Sequence, residues 1–533
     1  MTSIDLTELP GQSTLFVDFI NGQESIRERF TSSSTEGNIS APRQDVADVI
    51  LKSMYNVELS MEQESNLEKF RKNALTIVTG QQVGFLGGPL YTLYKIQTAI
   101  TIAEQLTNKG RTAVPVFWVE DNDHDAKEAA KASIPTKEFG CFDTQAASNI
   151  DALLRIPVSD WQFGNDIVNI INNIAEILPE AAHKTDTVTF LNNIYKQGTT
   201  WSDAFIQFVH TIFAESGLLI IRASTARLHG LMKPIVQFEM QNKGLLEQSV
   251  VKANDSLSTK GYHTQAKPSH INLFLHNESG RHKINNIHGD AGNYAVGPLL
   301  YATQELSRLV DSAPERFSPS VLLRPLIQDY ILSSHMYIAG PGEVGYLSQL
   351  KEAYQAFHIS MPVIQQRSSA TLLPKRILRF LEKQQLSYSY FFQPWAEVEK
   401  KTLATLSGQE VLENINASQQ TIHKIFDEVK KSVKTIDATL EPTVGSAERA
   451  LEKEFETMSK KVNAAIKRRS EQIFSKFRET STFIFPNAGL QERQLSPIFV
   501  LCEVGFDGLR QLLKNIAIQQ NTKHHIVEIS GEQ

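Results

Sequence analysis

The chain has 533 residues, of which 41% are hydrophobic and 21% charged, the balance of an ordinary globular protein of two to four domains. A formal net charge of −6 gives no reason to expect nucleic acid as a partner, and two cysteines, Cys141 and Cys502, exclude a disulfide framework or a zinc site of several thiolates. Met1-Thr2-Ser3-Ile4-Asp5-Leu6 lacks the basic and apolar regions of a signal peptide, and no uncharged apolar run reaches about 18 residues, so a cytoplasmic protein without a membrane span is expected.

The first strong signal in chain order is Ala74-Leu75-Thr76-Ile77-Val78, a short apolar run with β-branched residues that suits a buried parallel strand. A glycine-rich stretch follows, from Thr79-Gly80-Gln81-Gln82 through Gly84 to Gly87-Gly88-Pro89-Leu90-Tyr91. Beyond it Leu93, Ile96, Ile100, Ala103 and Leu106 recur near a helical period. Glycines between a strand end and a helix start let the backbone approach a ligand and leave N-terminal N–H groups free for an anion. Their spacing matches neither G-x-G-x-x-G nor a P-loop, so the stretch is either a ligand loop or a tight structural turn. Lys95, on the helix beside Tyr91 and Tyr94, either reaches a phosphate or lies on the surface.

Ala113 to Val119 is a second strand, and it runs into Glu120-Asp121-Asn122-Asp123-His124-Asp125. Strand, turn, helix and strand from about 75 to 119 make one right-handed βαβ unit, with an acidic cluster at the edge where doubly wound sheets build their sites. Asp121, Asp123 and Asp125 with His124 suit general-base work or metal binding, or form a plain solvated turn; no metal ligands are assigned. Further strands are expected at Leu218–Arg222, Ser320–Pro325 and His335–Ala339. The last leads into Gly340-Pro341-Gly342-Glu343, a ligand-facing or merely tight turn. Arg324 offers bidentate pairing to a carboxylate or phosphate, or a structural salt bridge. The intervals of about 135–215 and 230–320 are too long for plain loops. The fold class is therefore α/β, with a Rossmann-like core over 1–380 interrupted by inserted subdomains.

Residues 381–533 read as an α-helical coiled-coil domain with a C-terminal tail. Leu412, Ile415, Gln419, Ile422, Phe426, Val429, Val433, Ile436 and Leu440 form a heptad seam with one polar interruption. Glu441-Pro442-Thr443-Val444-Gly445 breaks it, and Leu451, Phe455, Met458, Val462 and Ala465 continue it. Two helices of roughly 30 residues, about 45 Å each, form an antiparallel hairpin that is expected to be the dimer element. Met458-Ser459-Lys460-Lys461 echoes a class I aminoacyl-tRNA synthetase signature, but Met458 occupies a seam position and no His-x-Gly-His accompanies it. No Gly-x-Ser-x-Gly elbow is present.

Along most of its length the chain resembles the BshC family, the cysteine ligases of bacillithiol biosynthesis. The resemblance is carried by Thr79-Gly80-Gln81-Gln82 with Gly87-Gly88-Pro89-Leu90-Tyr91-Thr92, and by Pro115-Val116-Phe117-Trp118 leading to Asp123-His124-Asp125. Gly261-Tyr262-His263-Thr264-Gln265, Asn272-Leu273-Phe274, Phe317 to Pro325, Gly340-Pro341-Gly342-Glu343, Thr371-Leu372-Leu373 and Leu490-Gln491-Glu492-Arg493 add to it. One departure is Asn122, where the resemblance leads us to expect Glu; it shifts the weight to Asp123 and Asp125.

The resemblance implies a nucleotidyltransferase-type Rossmann-like core with connecting-peptide insertions and a coiled-coil arm. It also implies joining of the L-cysteine carboxyl group to the amine of glucosaminyl-malate to give bacillithiol. Amide formation from a free carboxylate needs activation, most simply by ATP with Mg²⁺, through an adenylate or an acyl phosphate. On this reading the stretch Gly80–Tyr91 surrounds anionic groups, and Gln81 and Gln82 bond the amino sugar. His124, flanked by Asp123 and Asp125, orients or deprotonates the attacking ammonium, or one of the aspartates holds the cysteine ammonium. The alternatives are a non-catalytic nucleotide-binding coiled-coil dimer and a ligase for another amino acid.

Overall fold

In the computed structural model, which describes residues 2–30, 38–137, 140–153, 155–287, 290–405, 409–469, 471–519 and 521–529, the β-branched run after Ala74 forms a buried strand, β1 (Leu75–Gln82). It is the middle of a five-stranded sheet with β2 (Ala113–Glu120), β3 (Leu219–Arg222), β4 (Ser334–Ala339) and β5 (Val363–Gln366). All pairs are parallel, in the order β3-β2-β1-β4-β5. That is the order of dinucleotide-binding sheets, and it reverses direction between β1 and β4, where such sheets place ligands. Ladder pairing of β1 with β2 continues past Val78 until Gln82 faces Glu120. Thr79 to Gln82 are therefore strand, not loop.

The crossover helix Tyr91–Asn108 is buried on most sides. Its Ala99 and Ala103 meet Ile77, Ala113 and Ile338 in a cluster that ties β1, β2 and β4 together. Each fully buried Ile or Leu there contributes about 1.5–3 kcal/mol, which fixes the strand ends that carry the site.

The strand expected at Ser320–Pro325 does not form. Phe317–Pro319 is a short strand of another sheet, and Arg324–Leu332 is a helix. Pro325 sits in that helix's first turn, where its missing N–H would have had no intrahelical acceptor. The first long interval holds a hairpin, Lys131–Pro135 with Cys141–Gln145, and the helices Ile167–Ile177, Lys184–Ile194 and Trp201–Phe213. The second holds the helices Lys233–Gln241 and Leu245–Thr259 and an antiparallel sheet that includes Leu273–Asn277, Gly280–Ile287 and Phe317–Pro319.

The chain divides into two compact units, and Lys375–Leu490 supplies the second. Packing divides the chain differently from the expected 381–533, because the segment from Gln491 belongs with the first unit. Lys523–Ile529 is a strand between Ser369–Pro374 and Thr2–Asp5, and the Gln491 side chain bonds both the N–H and the carbonyl of Leu372.

Within the second unit, Gln409–Ile436 and Glu441–Arg469 form the expected helical hairpin. Its turn is Ala438–Leu440, capped by Asp437, so Pro442 opens the second helix instead of breaking the seam. Ile415 and Phe455 are buried, whereas Ile425, Val429, Ile436, Leu451 and Met458 remain exposed. No described helix is long and apolar enough to cross a membrane.

Candidate active site

The C-terminal ends of β1 and β4 open into a cleft of about 610 Å³, within the roughly 300–1,000 Å³ usual for small-molecule sites. β1 contributes Gly80, Gln81 and Gln82, β2 contributes Glu120, and Gly340, Gly342 and Glu343 follow β4. Lys95, Lys267, Arg281, Lys283, Arg324, Arg367 and Arg493 set seven cationic side chains against the carboxylates of Glu120, Asp123, Glu128 and Glu343. The cleft thus favours anions although the whole chain is acidic.

Lys95 is 1% exposed, which removes the surface reading. Its Nζ lies 2.8 Å from Glu343 Oε2, donates to the Gly80 carbonyl, and reaches Gln81 Oε1 at 3.4 Å. Glu343 also accepts from Tyr337 Oη at 2.6 Å and from the Gly340 N–H at 2.8 Å. Burial raises the Glu343 carboxyl pKa, but Lys95 and these donors outweigh it and hold the group ionised. The pair clamps the end of β1 to the turn after β4. Lys95 is therefore a strut of the cleft, with no hydrogen left idle for a phosphate.

Arg324 is different. Its Nη1 donates to Gln328 Oε1 at 3.2 Å and its Nη2 to Tyr346 Oη at 2.6 Å, and among the described residues no carboxylate pairs with it. The structural salt bridge left open by the sequence does not form among the described residues. Its hydrogen-bond partners are neutral, while Glu120 and Glu343 act on this half-buried guanidinium only through space, so its fork has no bonded counter-ion at the cleft.

Asp123 and His124 meet Arg281, which the insertion's antiparallel sheet delivers. Arg281 Nη1 lies 2.8 Å from His124 Nδ1 and 3.3 Å from Asp123 Oδ1, and its guanidinium stacks 3.7 Å over the Phe274 ring. A guanidinium can only donate, so His124 Nδ1 must accept, and the neutral ring carries its proton on Nε2. Asp123 Oδ1 lies farther from Nδ1, at 3.5 Å. With Nδ1 occupied by Arg281, His124 has only its other ring nitrogen left for the cleft it lines.

Asp123 Oδ1 also accepts from the His124 backbone N–H at 2.8 Å, and its Oδ2 accepts from Gln82 Nε2 at 2.9 Å. Burial raises its pKa, but the Arg281 charge and the His124 backbone N–H win and hold it well below the usual carboxylate range. Asp125 is not in the cleft. It caps the short helix Ala126–Ala130, accepting from the Glu128 N–H at 3.1 Å. Asn122 is 1% exposed and accepts from Arg227 Nε at 2.8 Å, and Asp121 accepts from Ser224; neither lines the cleft.

The glycine-rich stretch divides. Gly80, Gln81 and Tyr91 line the cleft, with Gln81 Nε2 donating to Tyr91 Oη at 3.1 Å. Thr79 is buried and bonds the Ile338 carbonyl at 3.0 Å, tying β1 to β4. Gly84, Gly87 and Gly88 do not line it. A Cβ on Gly87, whose φ is +83°, would lie 2.4 Å from the Phe208 ring, and one on Gly84 would lie 2.7 Å from Gly88 Cα. The N–H groups of Leu90, Thr92 and Leu93 already meet Leu495, Pro89 and Leu90 carbonyls. The expected anion cradle at this helix start is thus a structural turn, packed against the returning C-terminal segment.

Arg281 and Arg367 were not singled out in the sequence. Arg367 Nη2 lies 2.7 Å from Glu492 Oε1 and the guanidinium faces the Tyr91 ring at 5.2 Å. It follows β5 directly, so a strand-end rule applied there would have found it. Arg281 lies within a strand of an insertion, and no local signal marks it.

Comparison with known proteins agrees with this architecture. The family model described as bacillithiol biosynthesis BshC, N-terminal Rossmann-like domain, matches residues 2–368, and the BshC C-terminal coiled-coil domain matches 370–529. Similar curated proteins carry the name "Putative cysteine ligase BshC". One from Salinibacter ruber is 27% identical over 97% of this chain and 96% of its own length. One from Chloroherpeton thalassium is 30% identical over 86% and 83%, and one from Staphylococcus haemolyticus 25% identical over 90% and 89%.

Proposed function

Because the chain belongs to the BshC family of bacillithiol biosynthesis, we propose that it is a cysteine ligase that joins the carboxyl group of L-cysteine to the amine of glucosaminyl-malate, giving bacillithiol. The observation that carries the reading is Arg324, a guanidinium with no bonded carboxylate among the described residues, facing a cation-rich cleft at the switch point of the sheet. Such a group calls for an anionic ligand, and the malate carboxylates or a nucleotide phosphate supply one. ATP with Mg²⁺ would supply the carboxyl activation that amide formation needs. The same chemistry fits Arg324 with the exposed Lys267, Lys283 and Arg493 as holders of phosphate or malate oxygens.

The neutral donors have a task of their own. The His124 Nε2–H and the amides of Gln81 and Gln82 suit the hydroxyls and carbonyls of an amino sugar and an acyl group. Asp123, held ionised, fixes Gln82 and Arg281 and with them the cleft wall. We further propose that the protein acts in the cytoplasm as a homodimer through the helical arm, whose exposed Ile425, Val429, Leu451 and Met458 favour a partner helix.

The test is incubation of the purified protein with L-cysteine and glucosaminyl-malate, with and without ATP and Mg²⁺, read by mass spectrometry. Bacillithiol is expected only with ATP, accompanied by AMP or ADP according to the route. No product under any condition would leave the cleft as a non-catalytic nucleotide or anion site. Product from another amino acid in preference to cysteine would correct the substrate.

A further inference from the structure

The proposed reaction needs a base, because an amino sugar enters as an ammonium and becomes a nucleophile only after losing a proton. The carboxylates at the cleft fall into two groups. Glu343 is neutralised by Lys95 at 2.8 Å, Asp123 by Arg281 at 3.3 Å, and Glu492, just behind the wall, by Arg367 at 2.7 Å. A carboxylate held against a cation binds a proton poorly. Glu120 and Glu128 have no such partner among the described residues, and Glu128 is exposed on its short helix.

Glu120 ends β2 at the mouth of the cleft. Its Oε2 accepts from Trp118 Nε1 at 3.1 Å and its Oε1 from the Asn122 N–H at 3.2 Å. These neutral donors fix the carboxylate's direction without cancelling its charge, and each oxygen keeps a further lone pair. Resting on the ligase reading above, we infer that Glu120 is the catalytic base that takes the proton from the substrate ammonium. The charged groups around it are Arg324, Arg281 and Arg227 on one side and Asp121 and Asp123 on the other. Burial raises its proton affinity, Arg324 opposes this, and the two aspartates reinforce it.

In the step, one N–H bond of the ammonium breaks and its proton passes to the Glu120 carboxylate. The freed lone pair attacks the activated cysteine carbonyl and the C–N bond forms. The C–O bond to the phosphate-bearing leaving group then breaks with its electron pair, and the second nitrogen proton departs to solvent. Glu120 returns its own proton to solvent before the next cycle.

The test is the pH dependence of amide formation by wild type and Glu120→Gln, which keeps the volume and one acceptor oxygen. At pH 7 the variant's kcat is expected to fall about 10²–10⁴-fold, with KM for both substrates changed less than about threefold. Its rate should then climb about tenfold per pH unit toward the amine's own pKa, so the deficit shrinks in alkali. A pH-independent loss would assign Glu120 to holding Trp118 and overturn the inference, as would a rate within about fivefold of wild type. If Glu120→Gln does not fold, Glu120→Asp is measured instead. A lowered kcat with a displaced acid limb supports the base, and an unchanged profile overturns it. Wild type run in parallel separates the cases, since its inactivity would overturn the ligase reading itself.

Discussion

Replacing Lys95 by Met tests how the cleft is held together. Lys95 is 1% exposed and its ammonium is the only cation within ion-pair distance of Glu343 among the described residues. Met fills most of the volume, so the main consequence is a buried carboxylate without a counter-charge. Breaking a buried pair in this way costs about 3–5 kcal/mol. With an unfolding entropy of about 2.1 cal/mol/K per residue over a core of roughly 400 residues, the core should melt about 4–6 °C lower at pH 7. The pH dependence gives a second reading. In wild type Lys95 keeps the folded pKa of Glu343 below its unfolded value, so this stability is present above the unfolded pKa and lost on acidification. In the variant burial dominates, the folded pKa rises above the unfolded one, and the sign reverses. The gap between the two proteins should therefore narrow as pH falls from 7 toward 5. Differential scanning fluorimetry across that range reads both effects, and Lys95→Met/Glu343→Gln should recover part of the loss. A variant melting within 1 °C of wild type, with parallel pH curves, would refute the argument.

Other outcomes follow from the same geometry. Arg324→Ala should raise KM for the anionic substrate about 10–150-fold, the worth of a charge-assisted bond of about 1.5–3 kcal/mol, and Arg324→Lys should restore only part because it lacks the guanidinium fork; steady-state kinetics decides. Gly87→Ala combines a positive φ with a clash against Phe208 and should destabilise the core by about 2–4 kcal/mol, whereas Gly342→Ala, with open space around its Cβ, should leave denaturant midpoints near wild type. Burial pushes the Glu239 carboxyl up to about 7, with Asn272 opposing the shift. Its folded pKa lies above the unfolded one, so its stabilising contribution is present in acid and lost as pH rises toward and through 7. Glu239→Gln should flatten that fall and gain on the order of 3 kcal/mol at pH 8, read from melting temperature against pH.

The sheet was largely legible because its strands are short β-branched runs and its crossover helix has a clear period. Ala113–Val119 and His335–Ala339 each stand within a residue or so of the observed β2 and β4. The misreadings have local causes. Ser320–Pro325 offers apolar residues but only one β-branched side chain, and Pro325 belongs to a helix start. The tail past Gln491 is short and mixed, and only its pairing with Thr2–Asp5 and Ser369–Pro374 reveals a strand that closes the core. At Gly84 and Gly87 the neighbouring Gly88 and Phe208 leave no room for a Cβ, and Gly88 has a positive φ, a backbone demand that glycine count alone does not distinguish from a ligand loop. In the cleft, Gln81, Gln82, Asp123, His124 and Glu343 were marked by their strand-end positions. Arg281 arrives from an insertion more than 150 residues away in sequence, and no local pattern can announce such a meeting. Its contact with His124 Nδ1 is also what occupies that ring nitrogen.

The most direct test of the central claim follows the oxygen atoms of cysteine. With both carboxyl oxygens labelled as ¹⁸O, ligation in the presence of ATP and Mg²⁺ should give bacillithiol that keeps one label in its new amide carbonyl, with the other label in AMP or inorganic phosphate. Absence of product, or a product that retains both labels, would contradict amide formation through an activated cysteine carboxyl group.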